Sequence, residues 1–220
     1  FEQCKCLELL NLNGCLGVTS NVVKLILSNC RNLVRLDLAA CSGLCQSGCA
    51  VQQPVKSALQ NLVISGIPSL LSGDFFPILC GLAGLRNVIL SGTTTLSDTS
   101  MTFLAQSCTE LQHIDVSECI AIGNASLISL AKYCHHLVTI VVKGCRLISE
   151  EGVLEVLCHC RSLHTLYVSN TLVGVNLLES LCHGSVRAPS LLSLILTSCS
   201  IGITNVNKLR EAYPLLTVQK

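Results

Sequence analysis

The 220-residue chain reads as an α/β solenoid, a right-handed horseshoe with parallel strands on its concave face and helices on its convex face. Two observations carry that reading. The first is a repeat: L-x-x-L-x-L, with Val or Ile allowed at the later positions, starts at Leu7, Leu33, Leu59, Leu85, Leu111, Leu137 and Leu163, each 26 residues after the last. An eighth copy, "LLSLILTSC", starts at Leu191 after a spacing of 28, and a truncated ninth, "LLTVQK", starts at Leu215. The second is a change of period inside each unit, from alternation to helical spacing. No single unit can bury its own apolar face, so stacking must do it, and residues 1–220 are expected to form one domain of about eight repeats.

At the start of each unit, pairs such as Leu10 and Leu12, Leu36 and Leu38, or Ile140 and Val142 have the period of a short strand with one buried face. Further along, Val23, Ile26, Leu27 and Cys30 follow i, i+3, i+4, i+7 spacing. So do Met101, Leu104, Ala105 and Cys108, then Leu127, Leu130, Ala131 and Cys134, then Val153, Val156, Leu157 and Cys160. Helix starts are marked by Ser97-Asp98 and by Ser149, whose hydroxyl is expected to accept from orphan N–H groups, with Glu150 and Glu151 suited to the positive helix end. In the second unit, "CQSGCAVQQPVKSA" sets Gln52, Gln53 and Lys56 at helical core positions and Pro54 inside the run, which predicts an irregular loop. "HGSVRAPS" accounts for the two extra residues of the seventh unit and predicts a bulge near Leu191.

Composition removes several function classes. With 14 basic and 13 acidic residues the net charge is +1, so there is no footprint of a nucleic-acid binder or a polybasic membrane anchor. Aromatic side chains are scarce, which removes stacking platforms for bases. Between Ser57 and Leu85 the only charge is Asp74, but Pro68, Pro77 and several glycines interrupt the run, and no membrane span is expected. The chain begins at Phe1 without an initiator Met or a signal-peptide pattern, which reads as a processed chain or a fragment.

Sixteen cysteines and the adjacent His135 and His136 raise a metal-site or thiol-enzyme reading. Cys15, Cys41, Cys119, Cys145 and Cys199 each lie eight residues after a repeat start, however, and Cys4, Cys30, Cys108, Cys134 and Cys160 each lie three before one. These ten are ladder positions, where a free cysteine serves as a small hydrophobe with a weak donor. "LCHC" (Cys158, His159, Cys160) and Cys182-His183 approach the histidines on adjacent units, but Cys160 already has a core role and no third orienting group recurs, so neither a metal, nor another cofactor, nor catalysis is expected. A bridge between stacked cysteines such as Cys15 and Cys41 is geometrically conceivable. An inward ladder of reduced thiols fits a cytoplasmic or nuclear setting better.

If strands line the concave face, the third and fifth residues of each unit point into the groove. The fifth positions read Asn11, Asp37, Val63, Ile89, Asp115, Val141, Tyr167 and Ile195, mostly apolar; the third positions, including Arg35, Asn61, Asn87, His113 and Thr139, are mostly polar. An apolar stripe rimmed by polar groups marks a protein or peptide site, and Lys143 joins it just past its strand. His113, Asp115 and Glu118 cluster on one strand, where proximity follows from geometry alone and implies no nucleophile or oxyanion donor.

The unit L-x-x-L-x-L-x-x-C, followed by I-[ST]-[DEN] and ending A-x-x-C, resembles the cysteine-containing class of leucine-rich repeats. The resemblance rests on "LELLNLNGC" with Val18-Thr19, "LRNVILSGT" with Leu96-Ser97-Asp98 and "LAQSC", and "LVTIVVKGC" with Ile148-Ser149-Glu150. Such repeats are similar to those of F-box and leucine-rich-repeat proteins, in which they are substrate receptors of cullin-RING ubiquitin ligases. The resemblance thus implies a substrate-recognition domain whose link to a ligase would lie upstream of Phe1, since these residues contain no F-box-like segment. A structural or scaffold subunit with no ubiquitin link is the alternative. Ile67, Thr93 and Thr171 replace the ladder cysteine in three units.

Overall fold

The computed structural model describes residues 4–45, 57–70, 75–184 and 188–220. Nine three-residue strands follow one another: β1 (Leu9–Asn11), β2 (Arg35–Asp37), β3 (Asn61–Val63), β4 (Asn87–Ile89), β5 (His113–Asp115), β6 (Thr139–Val141), β7 (Thr165–Tyr167), β8 (Ser193–Ile195) and β9 (Thr217–Gln219). They form one sheet in chain order, with every neighbouring pair parallel. The register is a pure translation from unit to unit, so Leu10, Leu36, Leu62, Val88, Ile114, Ile140, Leu166, Leu194 and Val218 form a single inward row. Between the strands lie α1 (Ser20–Asn29), α2 (Phe75–Cys80), α3 (Asp98–Ser107), α4 (Asn124–Tyr133), α5 (Glu150–His159), α6 (Val175–Cys182) and α7 (Ile203–Ala212). The molecule is an α/β leucine-rich-repeat solenoid with one continuous apolar core between sheet and helices. Most of the irregular segment predicted in the second unit lies outside the described residues, and a 3-10 turn, Ser42–Cys45, leads into it. The centre of the predicted bulge near Leu191, residues 185–187, also lies outside them.

Each unit is completed by the next. The N–H of the sixth position (Leu12, Leu38, Ile64, Leu90, Val116, Val142, Val168, Leu196) donates to the fifth-position carbonyl of the following unit at 2.7–3.0 Å. Two residues on, the eighth-position N–H of Gly14, Ala40, Gly66, Gly92, Glu118, Gly144 and Asn170 donates to the next unit's seventh-position carbonyl. All of these eighth residues, and Ser198, sit in the left-handed region, with φ from 55 to 77°. Glycine enters that region freely, while Ala40, Glu118, Asn170 and Ser198 are held there at a cost of about 1 kcal/mol each. Three of these four donate the bond to the next unit, a contact available only in this conformation.

The helices are stapled in the same manner. Ser97 caps α3, its Oγ accepting from the Ser100 N–H at 3.3 Å. The first residue of α3 then caps the following helix: Asp98 Oδ1 accepts from the N–H groups of Gly123 and Ser126, at 2.9 and 3.0 Å, and from the Ser126 hydroxyl. Asn124 does the same for the next start, its Oδ1 accepting from the Ser149 N–H at 2.9 Å while its Nδ2 donates to Ser149 Oγ at 2.8 Å. Glu150 Oε1 accepts from the Gly174 N–H at 3.0 Å. The Ser149 hydroxyl therefore accepts from a neighbouring unit's amide and caps no helix of its own, contrary to the sequence expectation. α5 comes close to α4 at Gly152, where a Cβ would lie 3.0 Å from Asn124 Cα.

Two columns of thiols tie successive units. Cys30, Cys108, Cys134 and Cys160 are helix C-caps. The thiols of Cys108, Cys134 and Cys160 donate to the carbonyls of Leu82, Cys108 and Cys134 one unit earlier, at 3.5, 3.6 and 3.8 Å. In the second column, Cys41, Cys119, Cys145 and Cys199 donate to the carbonyls of Leu12, Leu90, Val116 and Val168, at 3.0–3.3 Å. Cys4 and Cys15, assigned to the same wall from spacing, are exposed. They belong to the unit at the edge of the described sheet, against which no earlier strand packs. Thr93 replaces a cysteine in the second column, and its hydroxyl is fully buried with no partner among the described residues.

Three substitutions test these ties by urea unfolding. Asp98→Ala should cost about 2 kcal/mol, because two buried N–H groups lose their acceptor. Thr93→Cys should gain about 1 kcal/mol by giving the Ile64 carbonyl a thiol donor and removing the stranded hydroxyl. Cys134→Asp should abolish the cooperative transition of the central units, since it sets an unpaired carboxylate in the core.

Candidate functional site

The inward alternation of each strand leaves its third and fifth residues on the concave face. Across β2 to β6 these side chains enclose a groove of about 330 Å³. One wall is polar: Arg35, Asn61, Asn87, His113 and Thr139. The other carries Val63, Ile89, Asp115 and Val141. Asp37 stands beside Val63 in the register, half-buried at the groove's end.

The polar wall is wired together. Asn87 Nδ2 donates to Asn61 Oδ1, and Asn61 Nδ2 donates onward to the Val34 carbonyl at 3.4 Å. Asn87 Oδ1 and the second hydrogen of each amide have no bond among the described residues and face the groove. On the other wall Asp115 Oδ1 accepts from the N–H and hydroxyl of Ser117, at 2.8 and 2.6 Å, and Asp37 Oδ1 accepts from the Ala39 N–H at 3.0 Å. Each carboxylate thus spends one oxygen on its own turn, and the other has no bond among the described residues. The one ion pair among the described residues joins His159 and Glu155, so neither Asp37 nor Asp115 is neutralised.

Four residues expected in the groove lie outside its lining, and Asp37, on the strand at the groove's end, is the first of them. Tyr167 is exposed on β7, beyond the end of the groove, and Lys143 is exposed past β6. Ile195 is buried, with only 7% of its surface exposed. Its register neighbours are Tyr167 and Gln219, both long side chains on the same face, and a branched residue between two longer ones is shielded by them. Glu118 leaves the supposed cluster with His113 and Asp115, because its left-handed turn lays the carboxylate over Gly144, where a Cβ would fall 2.5 Å from it. The Asn61–Asn87 bond had no sequence signal beyond two amides 26 residues apart.

Among the described residues the thiols form no second site. Burial pushes Cys108, Cys134 and Cys145 up to about 12, and Cys119 and Cys160 up to about 11, so they stay protonated and are neither nucleophiles nor ready ligands. His135 and His136 are exposed after the α4 C-cap. Among the described residues no three His, Cys, Asp or Glu side chains come together as a metal site. Nor, among those residues, is any helix long and apolar enough to cross a membrane.

No protein-family model and no curated protein matches this chain. Solved structures do. Rad7, from the yeast Rad7–Elc1 complex, matches 97% of this chain and 69% of its own at 17% identity, with a TM-score of 0.57. TLR13, from its complex with ssRNA13, matches 92% of this chain at the same identity and TM-score; the match spans 26% of TLR13. At such identities the likeness is one of fold.

The state of the thiols is directly measurable. Native-state alkylation read by mass spectrometry should modify the exposed Cys4, Cys6, Cys15 and Cys158 and spare Cys108, Cys119, Cys134, Cys145 and Cys160 until urea is added. Each raised thiol holds its proton more tightly folded than unfolded, so its contribution is complete below the ordinary value of 9.0 and is lost as pH climbs toward 12. The urea midpoint should therefore hold between pH 7 and 8.5 and fall above pH 9.

Proposed function

We propose that the chain works by recognition alone, as the substrate-recognition repeats of an F-box-type ubiquitin-ligase receptor, with a protein or peptide segment held in the concave groove. The observation that carries the reading is the groove over β2 to β6, where an apolar strip, Val63 and Ile89, lies beside amides with unused hydrogen-bonding capacity. Covering each of those apolar side chains contributes roughly 1.5 to 3 kcal/mol before ordering costs. The ligase link is supported by the cysteine-containing repeat pattern and by a fold shared with Rad7, a protein crystallised with Elc1. On this reading residues 1–220 serve as one binding domain, and the buried reduced thiols favour the cytoplasm or nucleus. Acidic Asp115 in the groove and Asp37 at its end disfavour a nucleic-acid backbone there.

The test is affinity purification of the natural full-length protein from its own cells, with mass spectrometry, beside the Val63→Asp, Ile89→Asp double variant. A cullin and its adaptor should co-purify with both proteins, while the remaining partners are lost from the variant. A stable partner set with no cullin makes the chain a scaffold. An unchanged partner set on a variant with wild-type unfolding midpoint overturns the groove.

A further inference from the structure

The groove's walls say what kind of segment it takes, and the inference rests on the groove being the binding site. In the fifth-position row the order along the solenoid is Asp37, at the groove's end, then Val63, Ile89 and Asp115 in its wall: two carboxylates, each with one oxygen that has no bond among the described residues, bracket two apolar side chains. Neighbouring parallel strands lie about 4.8 Å apart, so the carboxylates stand about 14 Å apart across three strand intervals. In an extended peptide, residues i and i+4 lie about 13 Å apart and point the same way, with i+2 between them. The opposite wall offers Asn87 Oδ1 and the spare amide hydrogens of Asn61 and Asn87; a peptide main chain, which both donates and accepts, satisfies both kinds of group, whereas a polyanion meets only the donors.

We infer that the groove binds an extended segment of the form basic-x-apolar-x-basic, its cations on Asp37 and Asp115 and its apolar side chain over Val63 and Ile89. The segment runs across the strands, and the Asn61–Asn87 pair engages its main chain. Arg35 stands on the opposite wall from the carboxylates, makes no ion pair among the described residues, and so leaves Asp37 open to an incoming cation.

The probe is an array of nonapeptides with the core Lys-Thr-Leu-Thr-Lys, together with variants in which Lys becomes Glu or Ser, Leu becomes Ser, or the two Lys stand three or six residues apart. It is read with the labelled 220-residue chain. The parent core should bind roughly tenfold more tightly than the Glu and Ser cores and should weaken as salt rises. The Asp37→Asn, Asp115→Asn pair should erase that preference, and the Asp37→Lys, Asp115→Lys pair should turn it toward Glu cores. Each variant must keep the parent's unfolding midpoint. An array with no preference for Lys-Thr-Leu-Thr-Lys, or a preference that survives neutralisation of both carboxylates, overturns the inference. If the full-length protein still loses its partners through Val63→Asp and Ile89→Asp in that case, the groove stands and only the peptide chemistry falls. If neither effect appears, both fall.

Discussion

From β1 to β8 each strand has its hydrogen bonds closed by the unit that follows it, and the rest of the structure depends on that constraint. A three-residue strand cannot stand alone; the sixth-position N–H needs a carbonyl one unit on, and the eighth-position N–H needs another. Meeting both demands in every unit forces a left-handed residue at one place in each turn, whether or not glycine occupies it. The translation then repeats with little freedom, and side chains fall into straight rows.

The convex side obeys the same logic through side chains. A helix start leaves N–H groups without partners, and Asp98, Asn124 and Glu150 supply acceptors from the preceding unit. At a helix end the carbonyls of Cys108 and Cys134 accept from the N–H groups of Leu111 and Leu137, and the next unit's thiol supplies a second donor to each. Valine would fill the same space but donate nothing, which is a physical reason for cysteine at these positions. Thr93 shows the converse, since a hydroxyl of similar bulk sits in the same column with its oxygen unsatisfied. A donor that never ionises at neutral pH suits the role, and burial keeps these thiols protonated.

The fold class was legible because period survives in sequence: a spacing of 26 names the rows, and alternation against helical spacing tells strand from helix. The capping relay was not, because its partners sit 24 to 28 residues apart and their bonds depend on how one helix leans on the next. Local rules sent the Ser149 hydroxyl to its own helix, whereas the structure gives it to Asn124. Row membership also misled where neighbours differ in size or are missing. Ile195 belongs to the outward row and is buried by Tyr167 and Gln219; Cys15 belongs to the inward column and is exposed at the sheet's edge.

The concave face turns this regularity into chemistry. Backbone bonding fixes where third and fifth positions stand and leaves their identities free, so a row can carry any pattern without disturbing the fold. In the stretch from β2 to β5 the two rows divide the work. The third positions place Arg35, two bonded amides and His113 in line, with an acceptor and donors to spare; the fifth positions place carboxylate, two apolar side chains and carboxylate in line. Amides engage a main chain with little regard to its sequence, whereas alternating charge and apolar surface select among side chains. Because successive members of a row are about 4.8 Å apart and an extended chain repeats its side-chain direction every two residues, selection by this face is necessarily a matter of spacing. A solenoid whose units were not locked into strict translation would have no such ruler to offer.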